Sequence, residues 1–332
     1  MSGPAQPGRL GVGVVGAGRV GAALGSALRA AGHAVVGASG ISEQSRERIA
    51  TMLPGVPALE VEQVVERAEL VLLTVPDDAL ADLVAGLAQI GAWHAGQIVV
   101  HTAGAFGTDV LAPARAAGAI PLAIHPAMTF TGTSMDVARL VGCSFAVTGP
   151  TPVLPIGQAL VVEIGGEPVV VEEAARPLYH AALAHGANHL VVLVAQAAQA
   201  LAAAGVPSPD KVLGPLLSAA LDGAVSRASS AGSPAGASGV AGLTGPVVRG
   251  DAGTVATHLA ELARLAARDA GTVDLPESYR VLSRAATTRA LAGGRISAAQ
   301  AQDLLDVLDA ARPATGRRDG PGAGPALGEE SR

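Results

Sequence analysis

The run LGVGVV (10–15) passes without interruption into GAGRVG (16–21) and then into an Ala/Leu-rich stretch that ends at Gly32. A short apolar strand that turns through closely spaced glycines into a helix aims the helix's first N–H groups at the strand end, where an anion can be held. Two G-x-G-x-x-G registers overlap here, Gly11-Gly13-Gly16 and Gly16-Gly18-Gly21. The first lies inside the strand. Only the second comes after the strand and opens the helix, the context in which the motif cradles a pyrophosphate. Gly16, Ala17, Gly18, Arg19 and Val20 are therefore the expected cofactor-binding loop.

Beyond Gly32, strands and helices alternate. HAVVGAS (33–39), ELVLLTV (69–75), QIVVHTA (97–103), AIPLAIH (119–125), CSFAVTG (143–149) and EPVVVE (167–172) read as strands, ELVLLTV being the clearest buried one. Helices are expected at 42–53, where Ser42 is a cap, at 77–90 behind Pro76, at about 111–117 and near 153–164. Alternation of this kind with apolar strands means a parallel sheet wrapped by helices. After Glu172 the pattern becomes all helical: 172–205, in which Pro177 marks a start or a kink, 209–228 with a break expected at Gly214-Pro215, 254–270, 276–294 and 296–311. Residues 1–8, the Ser/Gly/Ala-rich run 229–242 and the tail 313–332 read as disordered. The expected fold class is thus α/β, a dinucleotide-binding Rossmann domain over 9–172 followed by an all-helical substrate and dimerisation domain over 173–312.

The chain has 332 residues, a net charge of −6, 2% aromatic residues and a single lysine, Lys211. Without a basic run or a stacking surface, nucleic acid is not an expected partner. One cysteine, Cys143, excludes an internal disulfide and fits a reducing compartment; it is expected to pack in the core. The glycine-interrupted N-terminus does not read as a secretion signal, and no uninterrupted apolar stretch reaches the ~20 residues of a membrane span. A cytoplasmic protein without a membrane partner is expected.

The end of the second strand bears on the cofactor. An NAD site places an acid about 20 residues past the glycines to bind the ribose 2′-OH. Here the place reads Gly37-Ala38-Ser39-Gly40, with Arg46 and Arg48 nearby, which favours the 2′-phosphate of NADP on Ser39. Val75 and Pro76 end the central strand and Thr102 the next, so these are expected beside the nicotinamide ribose. Asp77 and Asp78 serve equally well as helix-start acids. His185 and His189 stand four apart on a helix, but HGANH lacks the glutamate of H-E-x-x-H, and no metal is expected. No phosphate-binding P-loop and no G-x-S-x-G elbow is present.

The order GAGRVG, VPDDA, HTAG, HPAMTF, LYHAALAHGANHL, LTGPVVRGD resembles, over about residues 10 to 292, the Rossmann-like proteins whose C-terminal part is the domain of unknown function 2520. That group is similar to ketopantoate reductases and pyrroline-5-carboxylate reductases, which share a nucleotide domain and a helical domain of the 6-phosphogluconate-dehydrogenase C-terminal type. The resemblance implies NADP-dependent hydride transfer between CH–OH and C=O, with ketopantoate of pantothenate biosynthesis the leading substrate, and a homodimer packed through the helical domain.

One departure stands out. Ordinary ketopantoate reductases carry K-x-x-x-N at the start of the helical domain; with Asn188 matched to that Asn, Ala184 stands where the Lys would be. His180 lies one turn earlier on the same ridge. His180 or His125, with an ordinary pKa near 6.5, is therefore the candidate proton donor, and Asn188 the group that orients a carbonyl. In LTGPVVRGD, Asp251 is the expected cap of the next helix, Thr244 belongs to the turn, and Arg249 is the candidate for a substrate carboxylate, with an internal Arg249–Asp251 brace the plain alternative. Two other functions compete: a prephenate-dehydrogenase-like oxidoreductase, from the likeness of His125-Pro126-Ala127-Met128 to an HPM motif, and a non-catalytic NADP-binding regulator.

Overall fold

The computed structural model describes residues 9–228 and 242–310. The expected leader, most of the 229–242 run and the tail lie outside the described residues. Two compact units divide at Asn188/His189.

The first unit is a seven-stranded sheet in the order β2-β1-β3-β4-β5-β6-β7, built from β1 (Gly11–Val15), β2 (Ala34–Ser39), β3 (Leu70–Leu73), β4 (Ile98–His101), β5 (Ile120–Pro126), β6 (Ser144–Thr148) and β7 (Glu167–Val170). Its helices are α1 (Arg19–Ala30), α2 (Glu43–Met52), α3 (Val61–Arg67), α4 (Asp77–Gln89), α5 (Ala112–Ala116), α6 (Met135–Arg139) and α7 (Leu154–Glu163). The period-two pattern of the strands sorts their side chains between two cores. Leu70, Leu72, Ile98 and Val100 join Leu24 and Leu28 of α1 on one face. Val71, Leu73 and Val99 join Val64 of α3 and Leu80 and Val84 of α4 on the other.

The sheet departs from the all-parallel expectation at one place: β5 and β6 pair antiparallel. A parallel return requires a crossover that runs back along the sheet, usually a helix. Between these strands the chain forms only the five-residue α6, so it reverses instead. The helix α3 was not legible in the sequence; Glu60 caps it, with Gln63 accepting from the Glu60 N–H.

The helix α8 (Arg176–Ala203) crosses the division between the units. It starts at Arg176, with Pro177 in its first turn. The expected change of pattern at Glu172 coincides with the end of the sheet, while the compact unit extends to Asn188 because the first turns of α8 are tied to the strands. Glu173 accepts from the Thr108 N–H at 2.7 Å, the Thr108 hydroxyl at 3.1 Å and the Asp109 N–H at 3.2 Å. By length and composition alone one helix, Glu173–Ala203, passes for a membrane span, the most apolar 18-residue window in it having a mean hydropathy of 1.3, although no uninterrupted apolar run is present. Ala, Leu and Val carry that average across the interspersed His, Asn and Gln, which a search for uninterrupted runs passes over.

In the second unit α9 (Pro209–Ala228) continues through Gly214-Pro215, the candidate break point in the sequence. Pro215 is exposed, so water can meet the carbonyl its missing N–H leaves unpaired. Val255 and Leu259 of α10 (Ala252–Arg268), Ala290 of α11 (Leu275–Ala292) and Leu304 and Leu308 of α12 (Ala298–Ala310) form a separate core. Cys143 is half-buried at the edge of the first sheet core, its thiol pushed up by burial, rather than fully inside.

Candidate active site at the sheet edge

The strand order reverses between β1 and β3, so the crevice beyond their C-terminal ends is the place where such sheets bind ligands. Gly16 leaves β1 at φ +84°, and a side chain there would press on the Thr74 backbone. Gly21 is required for packing: a methyl would fall 2.3 Å from the Thr74 hydroxyl and 2.7 Å from the Gly16 carbonyl. Thr74 Oγ1 in turn donates to Gly16 O at 2.7 Å, which ties β3 to the loop. Gly18 differs from both. A methyl there would meet nothing nearer than 3.9 Å, so the backbone stays open to an approaching group. The N-terminus of α1 carries no side-chain cap. An open glycine cradle beside an uncapped helix start fits the pyrophosphate of a dinucleotide. Ala17, fully buried, donates its N–H to Ser39 O at 2.7 Å, and the Ser39 hydroxyl accepts from the Gly16 N–H at 3.2 Å. Ser39, expected on a 2′-phosphate, is thus nearly buried and holds the loop. Arg19 is exposed, and Val20, Val75 and Thr102 are half-buried, with Pro76 exposed at the start of α4. Asp77 and Asp78 lie in the first turn of α4, where Pro76 is the cap residue, so neither carboxylate caps the helix.

At the ends of β4 and β5 a second group assembles. His125 Nδ1 and Tyr179 Oη are 2.9 Å apart, and the His125 and His180 rings meet edge-on with centroids 5.9 Å apart. Gly104 makes room for both imidazoles: a methyl there would lie 2.5 Å from His180 Cδ2 and 3.0 Å from His125 Nε2. The sequence pointed to His125 and His180 but missed Tyr179, Gly104 and Arg176. The tetrapeptide HTAG at the end of β4 carried the only signal for Gly104.

Arg176 sets the electrostatics. It is fully buried; Nε donates to Thr148 Oγ1 at 2.8 Å, and Nη2 donates to Ala123 O at 2.7 Å and Ala146 O at 3.2 Å, clamping the antiparallel strands. Nη1 is buried without a hydrogen-bond partner among the described residues. Burial, then the Arg176 charge, brings His125 down to about 4. The expectation of an ordinary value near 6.5 for this residue is therefore corrected: His125 is neutral at pH 7. Burial raises the Tyr179 phenol above its usual range, opposed by Arg176. Asn188 is exposed and lies two turns beyond His180, about 12 Å along the helix axis, so it does not join the cluster.

In the helical unit, Thr244, Arg249 and Asp251 form one turn. Arg249 Nη1 donates to Thr244 O at 2.6 Å, so its brace is to that carbonyl and not to Asp251. Asp251 caps α10, accepting from the Thr254 N–H at 3.0 Å and the Thr254 hydroxyl at 2.6 Å. Gly250, at φ +70°, supplies the left-handed residue between them. A cavity of about 710 Å³ in this unit is lined mostly by apolar groups such as Leu193, Val248 and Leu275, with His258 and Tyr279 paired at 2.8 Å; Arg249 is not among its walls. The described residues hold no group of three or more His, Cys, Asp or Glu placed to bind a metal ion.

The fold and this edge define a class: a Rossmann-type sheet domain followed by a helical domain. Residues 1–126 match the Rossmann-like domain model and residues 143–286 the model of the domain of unknown function 2520, so the chain carries both, in the order its motifs implied. No curated protein matches the sequence. Among solved structures, a candidate NADP oxidoreductase from Bacteroides fragilis is similar at 21% identity, over 84% of this chain and 98% of that one, with a TM-score of 0.65. An imine reductase from Myxococcus stipitatus in complex with NADP+ is similar at 17% identity, over 89% and 99%, with a TM-score of 0.57. A 1-pyrroline-5-carboxylate reductase from Streptococcus pyogenes is similar at 20% identity, over 83% and 98%, with a TM-score of 0.54. These likenesses establish a shared fold.

Proposed function

We propose that the protein is an NADPH-dependent reductase of a small 2-keto acid, with 2-dehydropantoate the leading substrate. The observation that carries this reading is the coincidence, on one sheet edge, of an open glycine cradle at β1 and a His125–Tyr179–His180 cluster at β4 and β5. The solved structures of similar fold include one named as an NADP oxidoreductase and an imine reductase in complex with NADP+, which supports the same cofactor. The loop Gly16, Ala17, Gly18, Arg19 and Val20 would hold the pyrophosphate through its backbone N–H groups, which leaves the Arg19 side chain free of that role. When bound, NADPH supplies a hydride. The chain supplies the proton that the resulting alkoxide needs. His125 is neutral and has no surplus proton to give. Tyr179 keeps its proton well above pH 7 and contacts His125, so Tyr179 Oη is the donor this geometry favours, with His180 on the other side of the His125 contact, against that ring. Arg249 remains the proposed carboxylate ligand. We also propose a homodimer through the helical unit, supported by exposed Val191, Leu216 and Val225 on α8 and α9.

A second reading, reduction of a C=N bond, is favoured by Ala184 standing where K-x-x-x-N would place a lysine: a protonated imine brings its own proton. A binding protein without turnover is the third. Purified protein mixed with NADPH and a panel of 2-keto acids and cyclic imines separates them. NADPH loss with keto acids supports the first reading and loss with imines alone the second. Tight NADPH binding with no loss on any compound leaves the third.

A further inference from the structure

The turn after β5 bears on the nucleotide in a way that its position in the chain does not suggest. Gly132 has φ +83°, which only glycine adopts without strain. Asp136, fully buried at the start of α6, fixes this turn: Oδ2 accepts from the Gly132 N–H at 2.7 Å and Oδ1 from the Thr131 hydroxyl at 2.9 Å. A methyl on Gly132 would lie 2.9 Å from Arg19 Cγ and 2.9 Å from Arg48 Nε. Two arginines from different helices, one next to Gly18 and one on α2, therefore converge on a single glycine. Neither guanidinium makes a hydrogen bond or ion pair among the described residues. Arg46, the other arginine of α2, donates to Ile41 O. The nearby acid is committed: Asp136 serves the turn and lies 3.8 Å from Arg139. Two arginine side chains that pass the same glycine from different helices, with no counter-charge bonded to either guanidinium among the described residues, can close on an anion between them. Ser39, the other group at the end of β2, is nearly buried and accepts from the Gly16 N–H.

We infer that the Thr131–Asp136 turn is a specificity device: Gly132 positions Arg19 and Arg48 as a clamp for the ribose 2′-phosphate and so sets the preference for NADPH over NADH. The inference rests on the proposed nucleotide reading and adds to it which residues choose the nucleotide. Gly132 itself touches no ligand; it acts through the two arginines. Arginine's planar fork suits a phosphate, and loss of one such charge-assisted pair costs on the order of tenfold in affinity.

The test is calorimetric titration of the full chain with NADPH and NADH, with 2′,5′-ADP and 5′-ADP as competing probes. Arg48→Ala and Gly132→Ala should each weaken NADPH and 2′,5′-ADP by about tenfold while leaving NADH and 5′-ADP nearly unchanged. Arg48→Lys should recover part of the loss. Unchanged NADH binding also reports that each variant has folded, and Arg48, half-exposed on a helix, keeps the test valid if Gly132→Ala does not fold. Equal weakening of NADPH and NADH would move the arginines to the shared pyrophosphate and overturn the inference, as would an unchanged preference in both variants. A wild-type protein that binds neither nucleotide overturns the underlying reading as well; one that binds NADPH with a preference insensitive to both substitutions overturns this inference alone.

Discussion

At His101 the backbone decides the tautomer. The Ala103 N–H points at Nδ1 from 3.2 Å, so Nδ1 accepts and the proton sits on Nε2, which donates to Gly107 O at 2.7 Å. Burial holds this ring down to about 4 from 6.5. As pH falls below 6.5, the unfolded chain takes up a proton that the native state refuses until about pH 4, so stability is lost across that window. Between pH 7 and 5 the loss from this group is about 2 kcal/mol. His101→Gln should flatten the difference between urea unfolding curves at the two pH values by that amount; equal pH sensitivity in variant and wild type would contradict it. Tyr179→Phe should lower kcat by about 10²-fold or more with little change in the KM for NADPH, and should alter the alkaline side of the pH–rate profile. An unchanged kcat would leave His180 as the donor. Arg249→Lys should raise KM for a keto acid; an unchanged KM would assign Arg249 to bracing its turn. His125 and His180 were visible in the sequence because polar residues stood at a strand end and on a helix ridge. Arg176, Tyr179 and Glu173 were not, because only the tertiary fold brings them their partners: strand carbonyls for Arg176, the His125 imidazole for Tyr179 and loop N–H groups for Glu173.

At the scale of the element, the glycine loop makes a sharper statement than its motif. Gly21 and Gly18 look equivalent in sequence, yet one faces packed atoms and the other open space. Gly21→Ala should destabilise the fold by roughly 1–3 kcal/mol through overpacking against Thr74. Gly18→Ala should leave the thermal midpoint within a degree or two of wild type, a small fraction of what a core defect produces, while weakening NADPH binding. Wild-type affinity in Gly18→Ala would mean the cradle is not used. The strand-loop-helix unit, the buried strands and the Ser42 cap were legible because each is encoded within a few residues. The reversal at β6 was not, since it depends on what the 127–143 segment cannot span, and α3 was missed because a glutamate, rather than a stronger capping residue, stands at its start. The uninterrupted α9 shows that Pro215 marks a break only where the helix cannot give the freed carbonyl to water.

For the whole molecule, the order of a sheet unit and a helical unit was readable from the change in periodicity near Glu172. The place where compactness divides them was not, because Arg176 ties the start of α8 to the strands and Glu173, just before it, ties the chain to the loop after β4. Sedimentation should show a dimer, and Val191→Asp, which puts a charge on an exposed apolar face, should shift it towards monomer; a wild-type monomer would contradict the proposed assembly. The central claim is that the sheet edge transfers hydride, and deuterium tests it most directly. With NADPH deuterated at the transferring position and the keto-acid panel, the account predicts a hydroxy acid carrying one deuterium on the former carbonyl carbon, seen by mass spectrometry. NADPH that binds but gives up no deuterium to any member of the keto-acid or imine panel would contradict it.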